Sequence, residues 1–506
     1  MRLLASGLCL ALLLSGCFGG NGDGDGEDSA DQTRDPVPVA HPPGCDPTRT
    51  ALAHHTDGRP AASSLSIVPC MGKIGTASFE PTLGITSDGA VYMYPAAPLG
   101  LPETVNVARS ADQGASWDLI APGAGGVPTH PYSQDPYLYV DPVTDRIFAE
   151  DLLLVPPPCG MMSFSDDGGD TWTTAQSGCA VLDHVTIFSG PAKTTPLVGY
   201  PHLVHRCAIS GGALAGLSSM VACQRSADGG LTWLPPGEPA FTFVPGAATG
   251  VAPSEGPLAA CFGGNGHGVT DADGTVYLPR GHCGQPWLAI SEDEGLTWET
   301  VQVSELGNAC DPSGLCEHDA GLAVDADGTV YYSWVTGDRW LMLTHSTDGG
   351  HTWSDPLNIT APGLNEVGLV QMTAGGAGKL ALAYYGTSTS PRGNFDAGDY
   401  EDTTWDAYMA VILDATSPDP TIHSVPVNPP GDPLIRGVCG PLRCGASFDF
   451  IDVRIAPDGT PWAPFVDGCL DACIGGEPED GSEGLTGRLW NGPSLWDEAD
   501  ANGPYP

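Results

Sequence analysis

The 506-residue chain carries 61 Asp and Glu against 18 Lys and Arg, which gives a formal net charge of −43. Such an acidic surface repels phosphate backbones and anionic lipid headgroups, so the composition argues against nucleic acid and against direct membrane binding. The 69 Gly and 48 Pro are typical of many short strands joined by turns, and we predict an all-β protein.

The acidic residues are spread along the chain rather than clustered. This distribution favours a solvated acidic surface, whose self-repulsion is screened by counterions in salt. Binding of a divalent cation such as Ca²⁺ and binding of a cationic partner stay open as alternatives. We predict no metal site and no cofactor.

Residues 1–17 have the features of an export signal. Arg2 precedes an apolar stretch, residues 3–14, that is too short to cross a bilayer as a stable helix. The stretch leads into the sequence LSGC at Cys17, which resembles a bacterial lipobox. The resemblance implies cleavage before Cys17 and lipidation of that residue, with an ordinary signal peptide as the alternative. We therefore expect an exported protein that is anchored to the outer face of the cell membrane through Cys17.

Residues 18–44 are rich in Gly, Asp and Pro and lack the apolar residues that a core needs. We predict a disordered acidic tether there, which lifts the following residues off the membrane. Residues 45–506 are then expected to form a single repeat domain.

An octapeptide with the pattern S-x-D-x-G-x-[ST]-W recurs five times. Its Ser and Asp side chains can hydrogen-bond to the loop backbone, and its Gly supplies the positive φ that a reversal needs. The Ser or Thr restarts a strand, and the Trp covers the hairpin with a large apolar ring system, so we predict structural roles. The repeated Asp and Trp residues of these turn octapeptides are Asp112 and Trp117, Asp167 and Trp172, Asp228 and Trp233, Asp293 and Trp298, and Asp348 and Trp353.

The turn octapeptides resemble the Asp-box, or BNR, repeat of the sialidase-like superfamily. The resemblance implies a β-propeller with blades of four antiparallel strands, and it puts the octapeptide at the turn between the third and fourth strands. Closure of such a ring protects the strand edges that an open array would expose.

The number of blades is predicted from a second element, an apolar strand followed by an Asp-Gly turn and an aromatic strand. Examples before the octapeptides are residues 83–92, 269–277 and 322–331, with a variant at 137–148. Two units without a good octapeptide begin at residues 369–385 and 452–462. We count seven blades, with six as the alternative if the last stretch pairs with the N-terminal segment near residues 65–68 to close the ring.

Fourteen cysteines remain after Cys9 of the signal and Cys17 are set aside, and an even number suits an exported protein with disulfides. Loop-closure entropy favours pairs of sequence neighbours, although connectivity stays open at this stage. A zinc site at Cys310 and Cys316 with His318 and Asp319 is the alternative for those residues. The predicted pairs are Cys45–Cys70, Cys159–Cys179, Cys207–Cys223, Cys261–Cys283, Cys310–Cys316, Cys439–Cys444 and Cys469–Cys473.

Sialidase activity is the first functional expectation that the resemblance raises. That family holds the substrate carboxylate with three arginines, the first in a Phe/Tyr-Arg-Ile-Pro motif, because guanidinium groups bind a carboxylate through two parallel hydrogen bonds. Here residues 79–81 read FEP at that place, and no arginine lies between Arg59 and Arg109. The family's late tyrosine nucleophile is also not found, because the only tyrosine after Tyr408 is Tyr505. Sialidase chemistry is therefore not expected.

Other chemistry stays open at the mouth of the central channel, where the innermost strands start. Carboxylates and imidazoles there could form an acid/base pair or an oxygen-rich cation site. The alternative interpretation is that these side chains only hydrogen-bond to backbone groups at the buried strand ends. The candidate catalytic residues are Glu80, Asp135, Asp319, Glu366 and Asp452. The candidate binding residues are His267 and His318, with His202 and Asp449 also near strand starts. Tyr384, Tyr385 and Arg392 form a candidate saccharide-stacking wall, unless the two tyrosines belong to the core.

The sequence thus favours a monomeric surface propeller that binds a glycan, a peptide or a surface polymer without sialidase chemistry. A divergent sialidase-like glycoside hydrolase that uses channel-mouth carboxylates is one alternative, and an assembly scaffold is another. One sequon, Asn358-Ile359-Thr360, has the pattern of an N-glycosylation acceptor, which can equally stay unmodified.

Overall fold

Seven antiparallel sheets follow one another along the chain in the computed structural model. The structure describes residues 42–95, 106–123, 136–153, 159–178, 182–210, 220–242, 264–310, 316–317, 320–391, 400–439, 444, 451–476 and 481–497. The predicted signal and Cys17 lie outside these residues, as does nearly all of the predicted tether.

Each sheet is one blade, and its strands follow chain order from the axis outward. Two N-terminal strands, β1 (Leu52–His54) and β2 (Val68–Lys73), precede the first blade and join later ones. Blade 1 contains β3 (Thr82–Ile85), β4 (Val91–Tyr94), β5 (Val107–Ser110) and β6 (Asp118–Ile120). Blade 2 contains β7 (Tyr137–Val140), β8 (Ile147–Leu153), β9 (Cys159–Ser165) and β10 (Thr173–Gly178). Blade 3 contains β11 (Leu182–Gly190), β12 (Leu203–Ser210) and β13 (Met220–Ser226), with residues 234–241 bridged to the outer edge of β13.

The remaining blades repeat this plan. Blade 4 contains β14 (Val269–Thr270), β15 (Val276–His282), β16 (Gln285–Ser291) and β17 (Glu299–Gln302). Blade 5 contains β18 (Gly321–Val324), β19 (Val330–Val335), β20 (Leu341–Ser346) and β21 (Leu357–Asn358). Blade 6 contains β22 (Glu366–Ala374), β23 (Leu380–Thr387), β24 (Thr404–Ile412) and β25 (Ile422–Pro426), with β1 on its outer edge and β26 (Ile435–Arg436) paired to β24. Blade 7 contains β27 (Arg454–Ile455), β28 (Pro461–Asp467), the short helix α1 (Asp471–Ile474) and β29 (Glu483–Trp490), with β2 as its outermost strand.

The first strands of the seven blades form a closed ring around the axis. Each packs beside the first strand of the next blade, from β3 to β7 and onward to β27, which returns to β3. The fold is therefore a seven-bladed all-β propeller, as predicted. The N-terminal segment does pair with the last stretch of the chain, as the six-blade alternative supposed. It supplies the fourth strand of blade 7, however, so the pairing completes the seventh blade and the number of blades stays seven.

The turn octapeptides all adopt the same hydrogen-bonded conformation. In the fifth copy Ser346 Oγ donates to Asp348 Oδ1 at 2.7 Å and accepts a hydrogen bond from the Gly350 amide at 2.9 Å. The Thr352 amide and hydroxyl donate to the two Asp348 oxygens at 2.9 and 2.6 Å. These bonds are all local, which explains why a short sequence pattern specifies the turn.

The octapeptides also join neighbouring blades. Gly350 has φ +89°, and a Cβ there would lie 2.7 Å from Cδ2 of Leu288 in blade 4, so only glycine allows this approach. Gly230 likewise abuts Phe148 of blade 2, and Gly295 abuts Cys223 of blade 3. The tryptophan of each octapeptide lies in an apolar cluster shared with the preceding blade, as Trp298 does between blades 3 and 4. The repeats therefore stabilise the contacts between blades as well as the hairpins.

Five of the seven predicted cysteine pairs are bonded in the structure. The bonded pairs are Cys45–Cys70, Cys207–Cys223, Cys310–Cys316, Cys439–Cys444 and Cys469–Cys473. Cys179 and Cys261 lie outside the described residues. Since disulfides persist in oxidising compartments, they indicate an exported protein. Within the described residues, no helix is both long and apolar enough to cross a bilayer.

Asp467, at the end of β28 in blade 7, makes the stability of the protein depend on pH. It lies with Lys73 of β2 and with Asp432 along one small cavity. Burial raises the pKa of the Asp467 carboxyl to about 6, and the nearby Asp432 acts in the same direction. The folded protein thus holds this proton more tightly than the unfolded chain does. Stability is therefore expected to fall as pH rises from about 4 through 6.

Replacement of Asp467 by asparagine is expected to remove this loss, because the amide oxygen can still accept the hydrogen bond from the Cys469 amide. At pH 8 the variant should be more stable than the wild type by about 2 kcal/mol, and at pH 4 the two should be equal. Guanidinium unfolding at both pH values measures the difference. An equal offset at both pH values would contradict the assignment.

Candidate functional site

A cavity of about 180 Å³ lies on the propeller axis and is lined by all seven inner strands. The strand ends that line it include Ile85, Val140, Thr270, Val324 and Ile455. In an antiparallel blade, the turn from the first to the second strand lies at the same end as the turn from the third to the fourth. The cavity is therefore on the face that carries the turn octapeptides.

The wall of this axial cavity combines apolar strand residues with a few polar groups. Trp496, which follows blade 7, reaches the axis and donates an indole hydrogen bond to the Ala456 carbonyl at 2.8 Å. Tyr139 and Ser189 join their hydroxyls at 3.0 Å, and Thr270 donates to the Ser189 carbonyl at 2.8 Å. Thr373 adds a further hydroxyl-bearing side chain to the lining. An aromatic surface beside several hydroxyls is the kind of wall that holds a small organic ring.

Asp452 anchors a buried ionic cluster beside the axial cavity. Its carboxylate accepts hydrogen bonds from the amides of Leu83 at 3.1 Å and Val453 at 2.8 Å. Arg454 Nη2 lies 3.1 Å from one carboxylate oxygen, and His267 Nδ1 lies 3.4 Å from the other. Burial opposes ionisation, but Arg454 and His267 outweigh it and hold the pKa of the Asp452 carboxyl below its usual value. The ionised carboxylate is fully occupied, so it orders the strand starts rather than serving as a general base.

Arg454 lines the axial cavity, and about a quarter of its side chain is exposed, which is more than for Asp452 or His267. His267 lines the cavity as well, and the edge of its ring meets Tyr137 at a centroid distance of 5.2 Å. The predicted binding residue His267 and the predicted catalytic residue Asp452 are thus brought together at the axis, where their side chains lie 3.4 Å apart.

Glu366, at the start of β22, lies in a second buried cluster between blades 5 and 6. Tyr400 donates its hydroxyl to Glu366 Oε1 at 2.8 Å, and Arg339 Nε lies 3.5 Å from Oε2. Arg339 also donates to the Cys439 carbonyl. The side chains of Glu366, Tyr400 and Arg339 have no exposed surface. A tyrosine–glutamate pair therefore exists in this protein. It was not predicted, because the search for a late tyrosine began after Tyr408 and Tyr400 belongs to no motif.

A third buried ion pair joins blades 2 and 3 away from the axis. Arg206 donates through Nε to both oxygens of Glu150 at 2.6 Å, and Ser177 donates to the same carboxylate at 2.8 Å. Arg206 also donates to Gln224 at 3.2 Å. Sequence reasoning did not identify these residues, since they lie on second, third and fourth strands rather than at inner strand starts.

Two further predicted site residues are described by the structure, and five lie outside the described residues. Glu80 is buried just before β3. His202 was expected near an inner strand start but immediately precedes β12, a second strand, where its ring contacts Asp141 at 2.9 Å. Asp135, His318, Asp319, Arg392 and Asp449 lie outside the described residues.

Tyr384 and Tyr385 belong to the core and do not form a saccharide-stacking wall. Both are fully buried, because the two faces of β23 are both covered. Tyr384 stacks on Tyr408 at a centroid distance of 5.5 Å. Tyr385 donates its hydroxyl to the Val466 carbonyl at 3.1 Å and thereby joins blades 6 and 7.

No group of three or more His, Cys, Asp or Glu side chains is placed to hold a metal ion among the residues that the structure describes. The exposed large apolar residues of the same part of the chain are distributed over different blades, as Leu119, Val143, Leu231 and Ile474 illustrate. Their distribution offers no support for a scaffold with one large apolar face.

Comparisons with known proteins give no family assignment. No protein-family model and no curated protein matches the chain. Among solved structures, it is similar to a mutant of NanB sialidase from Streptococcus pneumoniae, with 11% identity, coverage of 84% of this chain and 89% of that one, and a TM-score of 0.43. It is similar to a mutant of Trypanosoma rangeli sialidase displaying trans-sialidase activity, with 12% identity, 82% and 60% coverage, and a TM-score of 0.42. It is also similar to a mutant of the Aleuria aurantia lectin in complex with alpha-methyl-L-fucoside, with 11% identity, 72% and 100% coverage, and a TM-score of 0.39.

Proposed function

We propose that this protein is an exported Asp-box propeller, anchored through a lipidated Cys17 and an acidic tether, that binds a neutral saccharide unit of a glycan or surface polymer. The binding site is the axial cavity, and binding occurs without hydrolysis. The observation that carries the proposal is the composition of the cavity wall, in which the Trp496 side chain lies with the hydroxyl-bearing residues Tyr139, Ser189, Thr270 and Thr373.

The size of the axial cavity suits one ring. Its volume of about 180 Å³ is close to that of the cavity of about 150 Å³ that accepts benzene in another protein. A pyranose presents an apolar face to an indole and hydroxyls to neighbouring hydroxyls, and the cavity wall offers both kinds of partner.

The charge of the chain favours a neutral ligand. A net charge of −43 repels anionic sugars and teichoic-type polymers over long range. Arg454 does not reverse this preference, because its guanidinium is already paired with Asp452. A neutral saccharide meets no such repulsion.

Binding is favoured over catalysis because the channel carboxylates that the structure describes are buried and already engaged. Asp452 has four protein partners, and Glu366 is held by Tyr400 and Arg339. A general acid or base must reach the substrate, and neither group has exposed surface from which to do so.

The second candidate function is glycoside hydrolysis, and one observation favours it. Tyr400 and Glu366 form the hydrogen-bonded pair that a tyrosine nucleophile and its base require. Both are buried, so this function needs an opening movement between blades 5 and 6.

The test uses the soluble protein that lacks residues 1–44, on an array of neutral and anionic glycans and on a panel of chromogenic glycosides. We expect binding to neutral glycans and at least a tenfold loss of affinity in Trp496→Ala and in Thr373→Val. The control Leu119→Ala, an exposed residue on the outer strand of blade 1, should bind like the wild type. Unchanged affinity in both cavity variants would show that the axial cavity is not the binding site. Glycoside hydrolysis that disappears in Tyr400→Phe and Glu366→Gln would show that the protein is a glycoside hydrolase rather than a binding protein.

A further inference from the structure

A second cavity, of about 380 Å³, lies where the outer edge of blade 5 leads into blade 6. The turn after β1 closes one side through Thr56 and Asp57, and Trp340 and Asn365 line other parts of it. We call it the Trp340 cleft. It is independent of the axial cavity, since the two have no lining residue in common.

The sequon lies in this cleft. Asn358 and Thr360 both line it, and Asn358 is the last residue of the short outermost strand β21. The Asn358 side-chain oxygen accepts a hydrogen bond from the Thr360 amide at 3.0 Å, and Thr360 Oγ1 accepts one from the Leu341 amide at 2.8 Å. The Asn358 side-chain nitrogen makes no hydrogen bond to any described residue and is not among the buried polar atoms without a partner, and the residue as a whole is partly exposed. The acceptor nitrogen is thus available from outside while the rest of the sequon is ordered.

The walls of the cleft suit a sugar. The volume is large enough for one or two saccharide rings, and a half-buried tryptophan offers the flat apolar surface on which such rings pack. Asp57 and Thr56 add side-chain oxygen atoms to the lining of the same cleft. Disulfides are typical of exported proteins, and the N-x-[ST] sequon is the glycosylation acceptor on surface segments of such proteins.

We infer that Asn358 is an N-glycosylation site and that the first sugar of its glycan occupies the Trp340 cleft. In the transfer, the Asn358 amide nitrogen forms a bond to the anomeric carbon of a saccharide carried on a lipid phosphate. The anomeric carbon–oxygen bond breaks, the lipid phosphate leaves with the electron pair, and the amide nitrogen gives up one proton. The glycan then covers β21, which is the outermost strand of blade 5 among the described residues.

The modification is tested on protein purified from its own cells. Trypsin releases residues 340–379 as one peptide, because no Lys or Arg lies between Arg339 and Lys379. We expect mass spectrometry to find a saccharide on Asn358 and none on Asn365, which lines the same cleft without a sequon. Asn358→Gln and Thr360→Val should lose the saccharide, and Thr360→Ser should keep it. A peptide that is unmodified in the native protein would overturn the inference.

The position of the sugar is tested by a double-mutant comparison of native glycosylated protein. Asn358→Gln is expected to lower the Tm by about 2 °C in the wild-type background, because the sugar no longer fills the cleft. In a Trp340→Ala background the same substitution should lower the Tm by clearly less, because only the hydrogen bond from the Thr360 amide is then lost. Equal Tm shifts in the two backgrounds would overturn the packing of the sugar on Trp340, whatever the mass spectra show.

Discussion

Replacement of Trp298 by alanine is expected to lower the free energy of unfolding by about 3–5 kcal/mol, the usual cost of truncating a buried aromatic side chain. Trp298 is only 8% exposed and packs in the apolar cluster between blades 3 and 4, with Cys207, Val221 and Phe241. Its loss removes apolar contacts and opens a void between two blades, which the rigid ring cannot close. Guanidinium unfolding at pH 7 measures the cost.

The matched control for this effect is phenylalanine at the same position. The Trp298 indole nitrogen is buried and donates no hydrogen bond among the described residues. Trp298→Phe therefore loses only part of the packed volume, and it should cost less than half of the unfolding free energy that Trp298→Ala costs. Trp172 is the comparison, because its indole donates to the Gly169 carbonyl at 2.9 Å. Trp172→Phe should therefore cost about 1 kcal/mol more than Trp298→Phe. If alanine at position 298 costs less than about 1 kcal/mol, the octapeptide tryptophans do not join the blades.

Replacement of Glu294 by glutamine is expected to cost about 3 kcal/mol at neutral pH. Glu294 lies in the fourth turn octapeptide with φ +64°, and its carboxylate holds the loop that follows β11 in blade 3. It accepts hydrogen bonds from the backbone amides of Lys193, Thr194 and Thr195 at 2.7, 2.7 and 3.0 Å, and from both threonine hydroxyls. Burial opposes ionisation, but these bonds outweigh it and hold the pKa of the Glu294 carboxyl at about 2.

The pH dependence of this effect follows from the lowered pKa. The contribution of Glu294 is complete above pH 4.5, its ordinary pKa, and is lost as pH falls toward 2. The difference between wild type and Glu294→Gln should therefore shrink from about 3 kcal/mol at pH 7 to near zero at pH 2. The control is Glu292→Gln, which removes an exposed ion pair with Lys193 and should cost under about 1 kcal/mol. A Glu294→Gln cost that stays constant from pH 7 to pH 2 would contradict this account.

The parts of the fold that could be predicted from sequence are those made by local interactions. The hydrogen bonds among Ser346, Asp348, Gly350 and Thr352 span only a few residues. A short repeated pattern is therefore enough to predict each turn, and the spacing of the turns predicts the blades. The contacts that join blades are not local. Nothing in the sequence near Gly350 indicates that it meets Leu288, because that contact depends on how two completed blades pack.

The same distinction applies to the candidate site. Asp452 and Glu366 could be placed near inner strand starts, because the turn patterns indicate where those strands begin. Their partners Arg339 and Tyr400 could not be named, since ion pairing between blades depends on side-chain direction in two separate sheets. The axial role of Trp496 was missed for a related reason: it follows the last strand, in a stretch without a repeat pattern.

The Cys45–Cys70 disulfide determines how a pulling force on the N-terminal side of the chain would enter the propeller. Cys70 lies within β2, so tension applied before Cys45 passes through the disulfide directly to that strand, and residues 46–67, including β1, carry none of the load. β2 is held to β29 along a continuous antiparallel ladder from Val68–Trp490 to Lys73–Leu485. Tension along β2 therefore loads these hydrogen bonds together, in shear, rather than peeling them apart one at a time. Reduction of this single disulfide would transfer the load first to β1, whose ladder with β25 is only three residues long.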